Sequence, residues 1–140
     1  MKYLLDTNVI SDYARGHPGV TLKLEQFHFA DLATSSFTWM EVEQGFLISS
    51  RSRERYEKIT VGLLTSIHTL YFDEAAARIA AQLRVEMKKN HSKTGSATPA
   101  SNEDLYIAAI ALTYDLTLVT HNTSDFEFFP DLRLADWHDS

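Results

Sequence analysis

Cysteine is absent from all 140 residues. That excludes disulfides, thiolate-ligated zinc and a cysteine nucleophile together. Proline and glycine are sparse, at three and five residues, and no low-complexity tract, internal repeat or second-domain linker is present. No run approaches the roughly 18 consecutive apolar residues that a membrane span requires. The N-terminus offers Lys2 and a short strand, "KYLL", rather than a long apolar stretch closed by a small-residue cleavage site. What remains is an ordinary globular chain, 44% hydrophobic, long enough to bury roughly two-thirds of its unfolded surface. The expectation is one domain over residues 1–140, cytoplasmic and without membrane contact.

Basic residues are scarce in one part of the chain. Residues 1–100 carry 12 bases and 11 acids, whereas residues 101–140 carry eight acids and a single base, Arg133. A phosphate-binding surface normally shows the opposite bias, because neutralising phosphates supplies most nucleic-acid affinity. Either the protein avoids nucleic acid, or its acids hold metal ions that reverse the local sign.

The pattern of elements is that of an α/β fold. "KYLL" is apolar on both faces and reads as a central strand. "TNVISDYARG" reads as a short helix stopped by Gly16 ahead of Pro18. "TLKLEQF" is a second short helix, "ADLATSSF" a modest strand and "TWMEVEQGFLIS" the helix behind it. Longer helices are expected over 52–67 and 73–89, and a loop over "SKTGSATPAS". "NEDLYIAAIALTY" is apolar nearly all round and therefore a buried helix. "LTLVT" and "LRLAD" supply the last strands. Strands separated by helices imply a mainly parallel central sheet, flanked by helices in a three-layer sandwich.

Ligands of such sheets bind outside the carboxyl ends of the strands. Asp6 ends the first strand, Glu41 lies in the first turn of the helix after the second, and Asp104 opens the buried helix. Asp125 follows "LTLVT" by a short loop. Each acid taken alone has a simpler reading. Asp6 suits a helix cap, Glu41 and Asp104 are first-turn acids favoured by the helix dipole, and Asp125 is an ordinary loop acid. Four acids from four segments on one edge are not explained that way. Clustered carboxylates raise one another's pKa unless a cation offsets them, and hard oxygen ligands suit Mg²⁺ or Mn²⁺. The chemistry implied is metal-assisted phosphodiester hydrolysis.

"LLDTNVIS", "TWMEVEQG", "EDLYIAAIAL" and "LTLVTHNTSDF" resemble, in order, the signature blocks of the PIN-domain ribonucleases, and most of all the VapC-like toxins of type II toxin–antitoxin systems. The resemblance implies a PIN-like fold and an Mg²⁺- or Mn²⁺-dependent endoribonuclease acting on RNA. It implies a homodimer neutralised by a cognate antitoxin, with operator DNA reached only through that antitoxin. The family's metal-binding acids fall on Asp6, Glu41, Asp104 and Asp125. Thr7, Asn8, Thr120 and Asn122 fall on polar positions expected to orient carboxylates, water or substrate. Gly45 falls on a small-residue position expected to permit close helix packing. Residues 90–102 form a longer, more polar stretch than the family's turn at that place. Glu103 adjoins Asp104 and competes with it as a ligand, although helix phase turns it away by about 100°.

Other residues read as structure. Trp39 and Trp137 are packing residues. The six histidines show no metal-binding spacing such as HExxH, and His121 reads as a surface residue beside the pocket. Arg51, Arg53, Arg55 and Lys58, like Arg84, Lys88, Lys89 and Lys93, read as solvated helix faces, with RNA-backbone contact as the alternative. An Asp-nucleophile phosphatase also opens on a strand ending in Asp. It needs a second Asp two residues on, where this chain has Asn8, and a cap domain for which there is no room. A non-catalytic PIN-fold module that binds RNA or joins a repressor complex is the competing reading from another class.

Overall fold

The computed structural model describes residues 1–94 and 101–138, with side chains described through residue 89 and again from 101. In chain order the elements are β1 (Tyr3–Leu5), α1 (Thr7–Ala14), α2 (Pro18–Glu25), β2 (Leu32–Ser35), α3 (Ser36–Ile48) and α4 (Ser50–Ser66). They continue with β3 (His68–Leu70), α5 (Glu74–Thr94), α6 (Asn102–Thr113), β4 (Thr117–Val119) and β5 (Leu134–Ala135). Among the described residues the strands form one sheet in the order β3-β2-β1-β4-β5, and every pair is parallel. This is a PIN-like α/β sandwich, as the sequence implies.

Strand alternation feeds two cores. Leu4, Ala33 and Leu118 face one layer, against Ala76, Ala80 and Leu83 of α5 and Leu105, Ile107 and Ile110 of α6. Leu5, Leu32 and Val119 face the other, with Val9, Ile10, Val42, Phe46 and Leu64 from α1, α3 and α4. β1 is central because both its leucines are 1% exposed, which only a strand covered on both sides achieves. The small run Ala108–Ala111 is fully buried and lets α6 ride close to the sheet. Gly16, at φ +81°, ends α1 in the left-handed conformation that glycine adopts without a Cβ clash. Trp137 stacks on Phe27 at 5.4 Å, and Trp39 donates to Thr69 Oγ1 at 2.9 Å, so both tryptophans are packing residues as read from the sequence.

Three expectations need correction. β3 has no counterpart in the sequence reading, because it is short, has an exposed His68 and buries only Leu70. The helix expected over 73–89 runs on to Thr94, which converts the start of the expected loop into helix. Of that loop, residues 95–100 lie outside the described residues, and Ser101 caps α6. Glu41, expected in the first turn of its helix, lies in the second, because α3 starts at Ser36 and has no acid in its first turn. The basic face of α4 is solvated as read, with Arg53 pairing at the surface with Glu43 at 3.2 Å and Glu57 at 2.8 Å.

The order of the strands locates the site. From β1 the chain builds outward through β2 and β3, then returns to place β4 on the other side of β1. The crevice of such a sheet opens where the winding reverses, at the carboxyl ends of the two strands that flank the reversal. Here those ends are Leu5–Asp6 and Val119–Thr120, tied together by Asp6 N–H donating to Val119 O at 3.0 Å.

Candidate active site

Asp6 occupies that crevice and is 8% exposed. It caps α1, as the simple reading has it, with Oδ1 accepting from the Thr7 amide at 2.9 Å. It does more than cap. Its Oδ2 accepts from Thr120 Oγ1 at 2.9 Å and from Asn8 Nδ2 at 3.2 Å. Thr120 Oγ1 in turn accepts from the Asn122 amide at 3.1 Å, and Asn8 Oδ1 accepts from the His121 amide at 3.0 Å. Thr7 Oγ1 donates to Glu41 Oε1 at 2.8 Å and touches Thr38 Oγ1 at 3.0 Å. Three of the four polar residues named from the sequence thus hold a carboxylate directly, and Asn122 braces one of them.

Asp104 closes a capping box with Ser101. Its amide donates to Ser101 Oγ at 3.1 Å, and its Oδ2 accepts from the Ser101 amide at 3.3 Å. Asp6, Glu41 and Asp104 line one cleft of about 420 Å³ together with Thr7, Asn8 and Asn122. Asp125 ends a 3₁₀ turn over Thr123–Asp125. It flanks Asp104, close enough for its charge to act on that carboxyl, rather than lining the wall.

Glu103 is the residue that helix phase misplaced. It lines the same cleft, because Asp104 folds back toward Ser101 while the longer glutamate side chain reaches Glu41. Burial, then the charge of Glu41 and a carboxyl–carboxylate hydrogen bond to it, push Glu103 up to about 7. Burial also raises Asp6, with Glu41's charge adding to it against the opposing hydrogen bonds. Asp104 is raised by burial, with further contributions from Asp125 and Asp6. Glu103 Oε1 is buried without a hydrogen-bond partner. An all-oxygen donor set with an unsatisfied buried oxygen fits a hard divalent cation.

The cleft has a less polar annex. A hollow of about 120 Å³ shares Thr7, Ser11, Arg15 and Glu41 with it and continues to Val42, Gly45, Phe46 and Tyr56. Gly45 does not pack helices together, contrary to the sequence expectation. A Cβ there would meet nothing within 4 Å, so the residue borders open space. Asp12 and Arg15 also line the acidic cleft and pair with each other at 3.4 Å. Neither stands out in the sequence; the helical spacing from Asn8 to Asp12 is the signal that places Asp12 on the same face.

The raised carboxyls make stability depend on pH. A folded pKa of about 7 for Glu103 against an ordinary 4.5 means that the native chain holds a proton the unfolded chain has lost. That contribution is fully present below about pH 4.5 and is lost as pH rises through about 7. Metal-free protein is expected to lose stability across this window, by on the order of 1 kcal/mol after allowing for screening in an open cleft. Glu103→Gln should flatten the slope, which urea melts at pH 5 and pH 8 in chelator will measure. A slope unchanged by the substitution would show that Glu103 does not carry the proton.

The family model of the PIN domain matches residues 3–130. A tRNA(fMet)-specific endonuclease VapC of Shigella flexneri is 30% identical over 137 residues, covering 98% of each chain. The toxin FitB of Neisseria gonorrhoeae is 35% identical, covering 97% of this chain and 99% of its own. Among solved structures, DNA-bound VapBC from Salmonella typhimurium superposes with a TM-score of 0.82 at 28% identity, covering 98% of both chains. With the fold, the switch-point crevice and these likenesses in agreement, the chain belongs to the PIN-domain family, in its VapC-like group.

Proposed function

We propose that this protein is a divalent-metal-dependent endoribonuclease of the cytoplasm, the toxin of a type II toxin–antitoxin pair, with residues 1–140 acting as a single PIN domain. The observation that carries the reading is the gathering of Asp6, Glu41, Glu103 and Asp104 around one cleft at the sheet's carboxyl edge. Asp6, Glu41, Asp104 and Asp125 are assigned as ligands of Mg²⁺ or Mn²⁺, with Thr7, Asn8, Thr120 and Asn122 as positioning or substrate residues. When bound, the cation supplies a more acidic water and offsets phosphate charge.

The chain's own contributions follow from the hydrogen bonds. Thr120 and Asn8 hold Asp6 at a fixed orientation, and Thr7 does the same for Glu41. Glu103 lines the same cleft, and its unsatisfied Oε1 places it to offer a further oxygen to the cation. RNA as substrate is supported by the Shigella relative, a tRNA(fMet)-specific endonuclease. The antitoxin, and operator DNA through it, are supported by the DNA-bound VapBC structure. A homodimer completes the proposal. No helix among the described residues is long and apolar enough to cross a membrane.

The deciding experiment is cleavage of RNA by the purified protein with Mg²⁺, with Mn²⁺ and with chelator. Cleavage that ignores chelator, or no cleavage with either ion, would favour the non-catalytic PIN-fold module instead. The products should carry a 5′-phosphate and a 3′-hydroxyl. We assign water as the nucleophile, because a cation held by these acids would make a water more acidic, so a single 2′-deoxy sugar at the cut site should leave cleavage intact. A 2′,3′-cyclic phosphate end would refute that assignment.

A further inference from the structure

Beyond the acidic cleft, the parallel register of β4 and β5 sets two histidines and an aspartate face to face. Thr120 N–H donates to Ala135 O at 3.0 Å, so the residues that follow, His121 on one side and Asp136 on the other, emerge side by side. His121 Nδ1 lies 3.1 Å from Asp136 Oδ2, and His138 Nδ1 lies 3.2 Å from Asp136 Oδ1. The ligand atoms of the three residues all fall within 4.8 Å of one another.

The state of His138 is the telling part. Its side chain is 6% exposed, and its Nε2 lies 2.7 Å from Asp12 Oδ2, a contact that places a proton on Nε2. Its Nδ1 is buried and makes no hydrogen bond, although it lies 3.2 Å from Asp136 Oδ1, an oxygen that accepts from the His138 amide at 2.9 Å. An unsatisfied buried imidazole nitrogen beside a carboxylate is a place that a cation can bridge. His17, whose ring lies 4.8 Å away, is not a competing ligand, because its Nδ1 accepts from the Val20 amide at 3.2 Å.

We propose that His121 Nδ1, His138 Nδ1 and a carboxylate oxygen of Asp136 bind a transition-metal cation of the zinc class, at a site separate from the acidic cleft. Two imidazole nitrogens and one carboxylate oxygen select Zn²⁺ over Mg²⁺. Tetrahedral ligands at the usual zinc bond lengths sit about 3.3 Å apart, so Asp136 Oδ1, 3.4 Å from His121 Nδ1 and 3.2 Å from His138 Nδ1, already matches and the widest pair closes by at most about 1.5 Å. The Asp12–His138 contact is the carboxylate–histidine arrangement that fixes the tautomer of a metal-bound imidazole. A fourth position stays open to water on the side of the half-exposed His121. The cation would pin the C-terminal segment to the loop that carries His121 and Asn122. It would also reach the acidic cleft through Asp12, which lines that cleft, and through Asn8, which holds His121's amide.

The test is a Co²⁺ titration of full-length protein, stripped with chelator and kept in excess Mg²⁺, with Zn²⁺ as competitor. One equivalent should bind with the visible absorption of a tetrahedral nitrogen–oxygen site and be displaced by Zn²⁺. His121→Ala and Asp136→Asn, both at accessible positions, should each weaken binding at least tenfold, while Glu41→Gln should leave it unchanged. Nitrogen-15 spectra of the histidines should show Nδ1 of His121 and His138 responding to one equivalent of Zn²⁺. The proposal is overturned if the bands do not appear, or if Glu41→Gln rather than His121→Ala abolishes them. It is equally overturned if His138 proves doubly protonated at neutral pH and indifferent to Zn²⁺.

Discussion

Asp6→Asn should lower RNA cleavage by on the order of 100-fold or more, while the metal-free protein stays folded and melts no lower than the wild type. Burial, and then the charge of Glu41, both raise the pKa of Asp6 against its hydrogen bonds. Removing its charge relieves repulsion in the empty cleft and deletes a cation ligand at the same stroke. The amide does not fit freely, since Asp6 Oδ2 accepts from both Thr120 and Asn8, and a terminal NH₂ there faces the Asn8 donor. That local misfit offsets part of the gain, so the melting temperature should rise little. Added Mg²⁺ should stabilise the wild type and not the variant. Asp104→Asn should behave the same way. If both variants keep more than a few per cent of wild-type cleavage, the four-acid assignment is wrong.

Inhibition by the antitoxin should weaken as Mn²⁺ is raised. The cleft gathers carboxylates whose mutual repulsion any cation relieves, and an arginine offers a planar, permanently charged fork suited to paired carboxylates. We expect the antitoxin to place an Arg or Lys beside Asp6 and Glu41, with a short apolar helix seated in the hollow bordered by Val42, Gly45, Phe46 and Tyr56. Replacing that cation by alanine should restore cleavage at least tenfold while affinity falls less, because the helix contacts persist. A bulky change at Gly45, whose Cβ direction is open, should do the reverse and weaken docking with cleavage intact. An antitoxin that binds equally at every Mn²⁺ concentration and contacts only surface remote from Asp6 would defeat the idea.

Much of this architecture is legible in the residues because strong local patterns agree with the tertiary outcome. β1, α6 and β4 are short or uniformly apolar segments with clear ends, and the strand-end rule then carries Asp6, Glu41 and Asp104 to one edge. What escaped reading had weak local signal. β3 has only Leu70 as a buried residue. Helix phase turns Glu103 away from the cleft, but phase fixes where a Cβ points and not where a long side chain ends. The His121–Asp136–His138 cluster has no sequence spacing to announce it, since the register of β4 with β5 alone brings its parts together. For Gly45 the family resemblance implies a packing contact; here the missing side chain borders a hollow.

The central position of β1 has a consequence for how the protein comes into being. β1 is bordered on one side by β2 and on the other by β4, and Asp6 is steadied by Thr120, which leaves the ribosome more than a hundred residues after it. Until then Asp6 has neither its hydroxyl partner nor the acids of α6 beside it. The cleft is therefore complete only once β4 has been made and paired with β1, so a chain cut short of Thr120 should show no cation binding in it.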